Sequence, residues 1–93
     1  MFNQSQLDIL ERLVDTFGNK QINVCIEEMS ELTKELCKHN RGAYVIPQII
    51  EEMADVYIML KQMEILFQID SSYLDEEINY KIKRAKGLLL NKE

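Results

Sequence analysis

An all-α fold is predicted for this chain: four helices arranged as a hairpin and bundle, completed by oligomerisation. Three observations predict it. The sequence is 46% hydrophobic with one Pro and three Gly, a composition that suits long helices better than a sheet and its turns. Apolar residues recur at three- and four-residue spacing through most of the chain. The polar, turn-prone stretches between them are short. At 93 residues the chain is one domain, residues 1–93, at the small end for burying a self-sufficient core.

The first helix is expected from about Ser5 to Phe17. Ser5-x-x-Asp8 resembles a capping box, Leu7, Leu10, Leu13, Val14 and Phe17 make the stripe, and Gly18 stops it. The second runs from about Lys20 to Lys38, before the polar turn His39-Asn40-Arg41-Gly42. Pro47 suits the first turn of a third helix that reaches about Gln68. Asp70-Ser71-Ser72 breaks it, and Ser72-x-x-Asp75 resembles the cap of a fourth helix from about Tyr73 to Leu90.

Short connections make the second and third helices an antiparallel hairpin. Tyr44, Met59, Met63, Leu66 and Phe67 add more apolar surface than a thin hairpin covers. Self-association is the expected outlet, with burial under the first and fourth helices as the competing arrangement.

Charge is unevenly spread. Residues 1–78 hold 6 Lys/Arg against 15 Asp/Glu, net −9, and residues 79–93 hold 5 against 1, net +4. The acidic part disfavours nucleic acid as a partner. No apolar run approaches a membrane span and the first residues lack signal-peptide blocks, so a soluble, cytoplasmic protein without a membrane partner is expected. Cys25 and Cys37 are expected to be reduced structural residues.

The chemistry lies in a repeated word. Ile26-Glu27-Glu28-Met29-Ser30-Glu31-Leu32 returns as Ile50-Glu51-Glu52-Met53-Ala54-Asp55-Val56. Positions i and i+3 are helical neighbours, so Glu28 stands beside Glu31 and Glu52 beside Asp55. Each pair adjoins an apolar stripe, Cys25-Met29-Leu32-Leu36 on one helix and Ile49-Met53-Val56-Leu60 on the other, so packing the stripes aims four carboxylates at one volume. None of these acids has a Lys or Arg four residues later, and such crowding calls for a cation. Oxygen-only ligands suit Mg²⁺ or Mn²⁺. The lone histidine, His39, follows Leu36 by three residues, so no Glu-x-x-His exists and di-iron chemistry is disfavoured.

Glu27-Glu28-x-x-Glu31 followed by Glu52-x-x-Asp55 resembles the signature of the MazG-like all-α nucleoside triphosphate pyrophosphohydrolases, over roughly residues 20–67. The resemblance implies Mg²⁺ held by Glu28, Glu31, Glu52 and Asp55, and cleavage of (d)NTP to (d)NMP and pyrophosphate by hairpins assembled as homo-dimers or homo-tetramers. Glu27 or Glu51 could accept the attacking water's proton, although both lie about 100° round the helix from the inner acids. On the last helix Asn79, Lys81 and Arg84 loosely echo the family's substrate contacts, but its Lys-Tyr-Pro is missing. Lys81 and Arg84 could grip β- and γ-phosphates or only offset the acidic start of their own helix. The rival readings are a dimeric dUTPase-like or phosphoribosyl-ATP pyrophosphatase-like enzyme, and a non-catalytic helical interaction module.

Overall fold

A computed structural model describes residues 1–92 as four helices: α1 (Gln4–Phe17), α2 (Lys20–Asn40), α3 (Ile46–Leu66) and α4 (Ser71–Lys92). The expected all-α architecture is present, with ends that differ locally from those read in the sequence. The capping box of α1 is Asn3-x-x-Gln6, not Ser5-x-x-Asp8: the Asn3 side chain accepts from the Gln6 N–H at 2.8 Å, and the Asn3 N–H donates to Gln6 Oε1 at 2.9 Å. Likewise Asp70, not Ser72, serves the start of α4, accepting from the backbone N–H and the hydroxyl of Ser72, both at 2.9 Å. A carboxylate accepts two such bonds better than a hydroxyl does, and they hold Asp70 below the usual carboxylate range.

The long helices α2 and α3 end alike. Beyond α2, Gly42 at φ 94° sends its N–H to His39 O, and Ala43 sends its N–H to Lys38 O. Beyond α3, Gln68 at φ 55° bonds Ile65 O, and Ile69 bonds Glu64 O. Both are Schellman endings, which place one residue in the left-handed region. Gly42 adopts it without penalty; Gln68 carries a Cβ there. Pro47 occupies the first turn of α3, where its missing N–H has no helical partner to lose.

Packing is concentrated in the α2–α3 hairpin, with α1 laid mainly along α3. Leu10, Val14, Cys25, Ile49 and Met59 form the small apolar core, joined by buried Gln21, Glu35 and Gln62. Gln21 Nε2 donates to Gln62 Oε1 at 2.7 Å across the seam, and Gln62 is 1% exposed. The two expected stripes are only partly consumed: Cys25 and Ile49 are buried, whereas Met29, Leu36, Met53 and Leu60 stay at least 40% exposed.

No residue of α4 is buried. Its first two turns, through Leu74 and Ile78, wall an open cavity of about 390 Å³ against Phe2 and Leu7 of the N-terminal segment and Tyr57 and Leu60 of α3. The fourth helix therefore does not cap the bundle. The radius of gyration, 16.2 Å, exceeds the roughly 12 Å of a compact domain of this length, and the long dimension is 49 Å. Among the described residues no helix is long and apolar enough to cross a membrane. Cys25 and Cys37 are free thiols, the first buried and the second exposed.

Candidate metal centre

The antiparallel register of the hairpin sets the site. Gln21 faces Gln62, and seven residues further along α2 and seven back along α3 stand Glu28 and Asp55. Seven residues are two helical turns, so the carboxylates return to the same seam about 10.5 Å from the buried amides. Glu28, Glu52 and Asp55 thereby bring one carboxylate oxygen each to within 4.8 Å of one another, all half-buried.

The electrostatics follow from that crowding. Glu28 is held above the ordinary carboxylate range, first by desolvation, then by the charges of Asp55 and Glu52 and a hydrogen bond that its protonated form makes to Asp55. Glu52 is raised too, by desolvation and then by Asp55, Glu31, Glu51 and Glu35. Glu52 is thus repelled by acids of both helices, Asp55 and Glu51 of α3 and Glu31 and Glu35 of α2.

The donor set fits a hard divalent cation. Opposite ligands of one Mg²⁺ lie about 4.2 Å apart at a metal–oxygen distance of about 2.1 Å, so a 4.8 Å spread closes with small side-chain rotations. Three carboxylates leave open positions for phosphate oxygens or water. Glu31, expected as a fourth ligand, is exposed and lies outside the group of three, although its charge reaches both Glu28 and Glu52.

Beside the acids, Leu32 of α2 and Met53, Val56 and Tyr57 of α3 line an apolar concavity of about 180 Å³. The chain matches no protein-family model, no curated protein and no solved structure.

The remaining expected site residues are not gathered by a single chain. Glu27 and Glu51 are exposed, round the helix from the inner acids. Asn79, Lys81 and Arg84 are exposed on α4; Lys81 pairs with Glu77 of its own helix at 3.6 Å, and Lys81, Arg84, Ala85 and Leu88 border one shallow concavity.

The residue missed in the sequence is Glu35. It is buried, with Oε1 paired to Lys38 Nζ at 3.1 Å and Oε2 enclosed without a hydrogen-bond partner. One signal was available: Glu35 follows Glu28 by seven residues, and so continues the seam defined by Gln21 and Glu28.

Proposed function

We propose that this chain is a Mg²⁺-dependent nucleoside triphosphate pyrophosphohydrolase of the MazG-like all-α type, converting (d)NTP to (d)NMP and pyrophosphate, and that it works as a homo-oligomer. The observation that carries the reading is the triad Glu28, Glu52 and Asp55, drawn from two facing helices to within 4.8 Å and flanked by an apolar wall. Three crowded, half-buried carboxylates form a poor resting arrangement alone and a good ligand set for a hard cation.

Such a cation, Mg²⁺ or Mn²⁺, would neutralise the phosphate chain and polarise the phosphorus under attack. The protein's own residues do the rest. Glu28, Glu52 and Asp55 would hold the cation through one carboxylate oxygen each. Leu32, Met53, Val56 and Tyr57 form an apolar wall on one side of it, where fewer water molecules compete with the charges. Glu27 or Glu51, which one chain leaves exposed round the helix from the inner acids, would take the proton from water as its oxygen bonds to the α-phosphorus and the bond to the αβ-bridging oxygen breaks to release pyrophosphate. Nothing in the triad selects a base, so dUTPase-like and phosphoribosyl-ATP pyrophosphatase-like specificities belong to the same proposal.

One observation favours a second reading, a helical interaction module without chemistry: much of the apolar surface beside the acids is bare. The two readings separate on products. A panel of ribo- and deoxyribonucleoside triphosphates, with phosphoribosyl-ATP, is incubated with the protein and Mg²⁺ and resolved by anion-exchange chromatography. Monophosphate and pyrophosphate are expected. Diphosphate with orthophosphate would refute the assigned bond, and no turnover of any substrate favours the module.

A further inference from the structure

Lys38 and Glu35 stand apart from the other ion pairs of this chain. Three such pairs are present among the described residues: Lys38–Glu35 at 3.1 Å, Lys61–Glu64 at 3.2 Å and Lys81–Glu77 at 3.6 Å. The Lys81 pair is exposed on α4, and Lys61 and Glu64 line the cavity at the base of that helix. Only the Lys38 pair includes an acid of the α2–α3 seam. Glu35 follows Glu28 by seven residues and is 8% exposed. Its Oε1 takes the Lys38 ammonium, and its Oε2 is enclosed with no partner.

Stability does not account for this arrangement. A cation in the last turn of α2 favours the helix dipole whether or not its partner is buried. A solvated Glu three residues from Lys38 would pair with it on the helix surface at little cost, whereas an enclosed carboxylate with one oxygen unpaired costs more than such a pair returns. What burial supplies is position. The anchored carboxylate holds the ammonium at one point of the seam, and 39% of the Lys38 side chain stays open to a ligand.

The register says which point that is. Gln21 faces Gln62 and Glu28 faces Asp55, so Glu31 comes level with Glu52, and Glu35 lies one turn, about 6 Å, further towards the end of α2. Side chains on a helix lean towards its N-terminus, which carries the Lys38 ammonium back from the hairpin turn in the direction of the acids. The charge of Glu35 is felt at Glu52, in keeping with that closeness. We propose that Lys38 is a phosphate-binding residue and Glu35 the residue that positions it: a triphosphate chain runs along the seam with its α-phosphate at Glu28, Glu52 and Asp55 and its terminal phosphates at the Lys38 ammonium. The nucleoside then leaves the triad on the side away from Lys38. An ammonium with protons to spare suits the charge that grows on departing pyrophosphate. Lys81 and Arg84, expected in that role, stand on a helix with no buried residue. This role of Lys38 rests on the function proposed above.

Binding of inorganic phosphates to the full chain tests it, with Mn²⁺ as the metal. Lys38→Gln is combined with Glu35→Gln, so that no unpaired carboxylate is left in the seam and the net charge is unchanged; thermal unfolding followed by circular dichroism verifies the fold. Should that variant unfold, Lys38→Met with Glu35→Leu removes the same cation and fills the seam with apolar side chains. Mn²⁺ alone, followed by electron paramagnetic resonance, should bind wild type and double variant alike, because the triad is intact. The Mn²⁺ complex of inorganic tripolyphosphate, titrated calorimetrically, should bind the double variant about tenfold or more weakly. Orthophosphate, too short to reach from the triad to the ammonium, should bind both proteins equally. Equal tripolyphosphate affinity in wild type and double variant overturns the proposal. So does an orthophosphate affinity that falls by the same factor, since that is damage to the triad and not a lost grip on the far end of the chain. Both of these outcomes leave the metal centre standing. A wild type that fails to bind Mn²⁺ removes the centre itself, and the role of Lys38 with it.

Discussion

Gln21 and Gln62 are joined by a 2.7 Å side-chain hydrogen bond across the buried seam of the hairpin, two turns from the point where Glu28 meets Asp55. An amide pair inside an apolar seam does little for net stability, because each partner gives up hydrogen bonds to water. It does penalise every other register. Sliding α2 past α3 by one turn would leave the side-chain oxygen of Gln62, a residue 1% exposed, buried and unpaired, and would also move Glu28 away from Asp55.

The first prediction follows from that asymmetry. Gln21→Ala strands the Gln62 oxygen in the seam and should destabilise the fold by about 1–3 kcal/mol. Gln21→Leu with Gln62→Leu removes both polar groups and should come close to neutral in urea denaturation. The double variant loses only the register penalty, so Mg²⁺ affinity should fall while the melting temperature holds. A double variant as unstable as Gln21→Ala would show that the amides are not coupled.

A second asymmetry lies in the pair Lys38–Glu35. Their side chains are 39% and 11% exposed. Removing Glu35 leaves an ammonium that water can solvate, whereas removing Lys38 leaves a buried carboxylate with neither oxygen paired. Lys38→Met should therefore be the more destabilising change, by about 1–3 kcal/mol, while Glu35→Gln should stay within about 1 kcal/mol of wild type. Equal effects in parallel urea titrations would contradict the buried placement of Glu35.

How far the sequence carried can be judged from these residues. The short connection was sufficient to pair α2 with α3, and the duplicated Glu-x-x-acid word beside their apolar stripes to bring Glu28, Glu52 and Asp55 together, though not Glu31, which was expected with them. It did not show which part of each stripe would be buried. Cys25 and Ile49 are enclosed but Met29 and Met53 are not, since burial depends on where α1 lies, and that is a tertiary choice. The burial of Glu35 and Gln62 was not read from the sequence, because residue type alone assigns Glu and Gln to the surface. The caps of α1 and α4 were each misplaced by two residues, because polar pairs at capping-box spacing recur close together, as in Ser5-x-x-Asp8 and Asn3-x-x-Gln6. That α4 stands away from the bundle was hidden altogether, since an amphipathic stripe does not say whose core it joins.

Gln68 supplies the third prediction. It holds φ at 55° to complete the Schellman ending of α3, a conformation that a Cβ disfavours by about 1 kcal/mol. Gln68→Gly should relieve that strain and stabilise the chain by somewhat less, because glycine also gains freedom in the unfolded state. Gln68→Val, β-branched at the same φ, should destabilise it. A lower melting temperature for Gln68→Gly than for wild type would show that the left-handed ending is not held in solution.

The pH dependence of the metal-free protein reports on the triad. Glu28 and Glu52 have folded-state values raised above the ordinary 4.5. For an acid shifted in that direction the folded state holds its proton more firmly than the unfolded chain does. The associated stability is present below pH 4.5 and is lost as pH rises through the raised values. Asp70, lowered from 3.8, works oppositely, and its contribution is lost as pH falls through its folded value. Above pH 4.5 the carboxylate cluster therefore sets the slope, and metal-free stability should fall as pH rises through the raised values. Glu52→Gln removes a charge that four carboxylates repel, so it should flatten that slope and raise metal-free stability at neutral pH. Mg²⁺ should reverse the order: wild type gains about 2.7 kcal/mol at a concentration one hundred times its dissociation constant, and the variant gains far less. Thermal unfolding from pH 4.5 to 7.5, with and without Mg²⁺, makes the comparison. A wild type whose metal-free stability rises across that range would mean that Glu28 and Glu52 are not crowded as described, and equal Mg²⁺ stabilisation in wild type and Glu52→Gln would remove Glu52 from the ligand set.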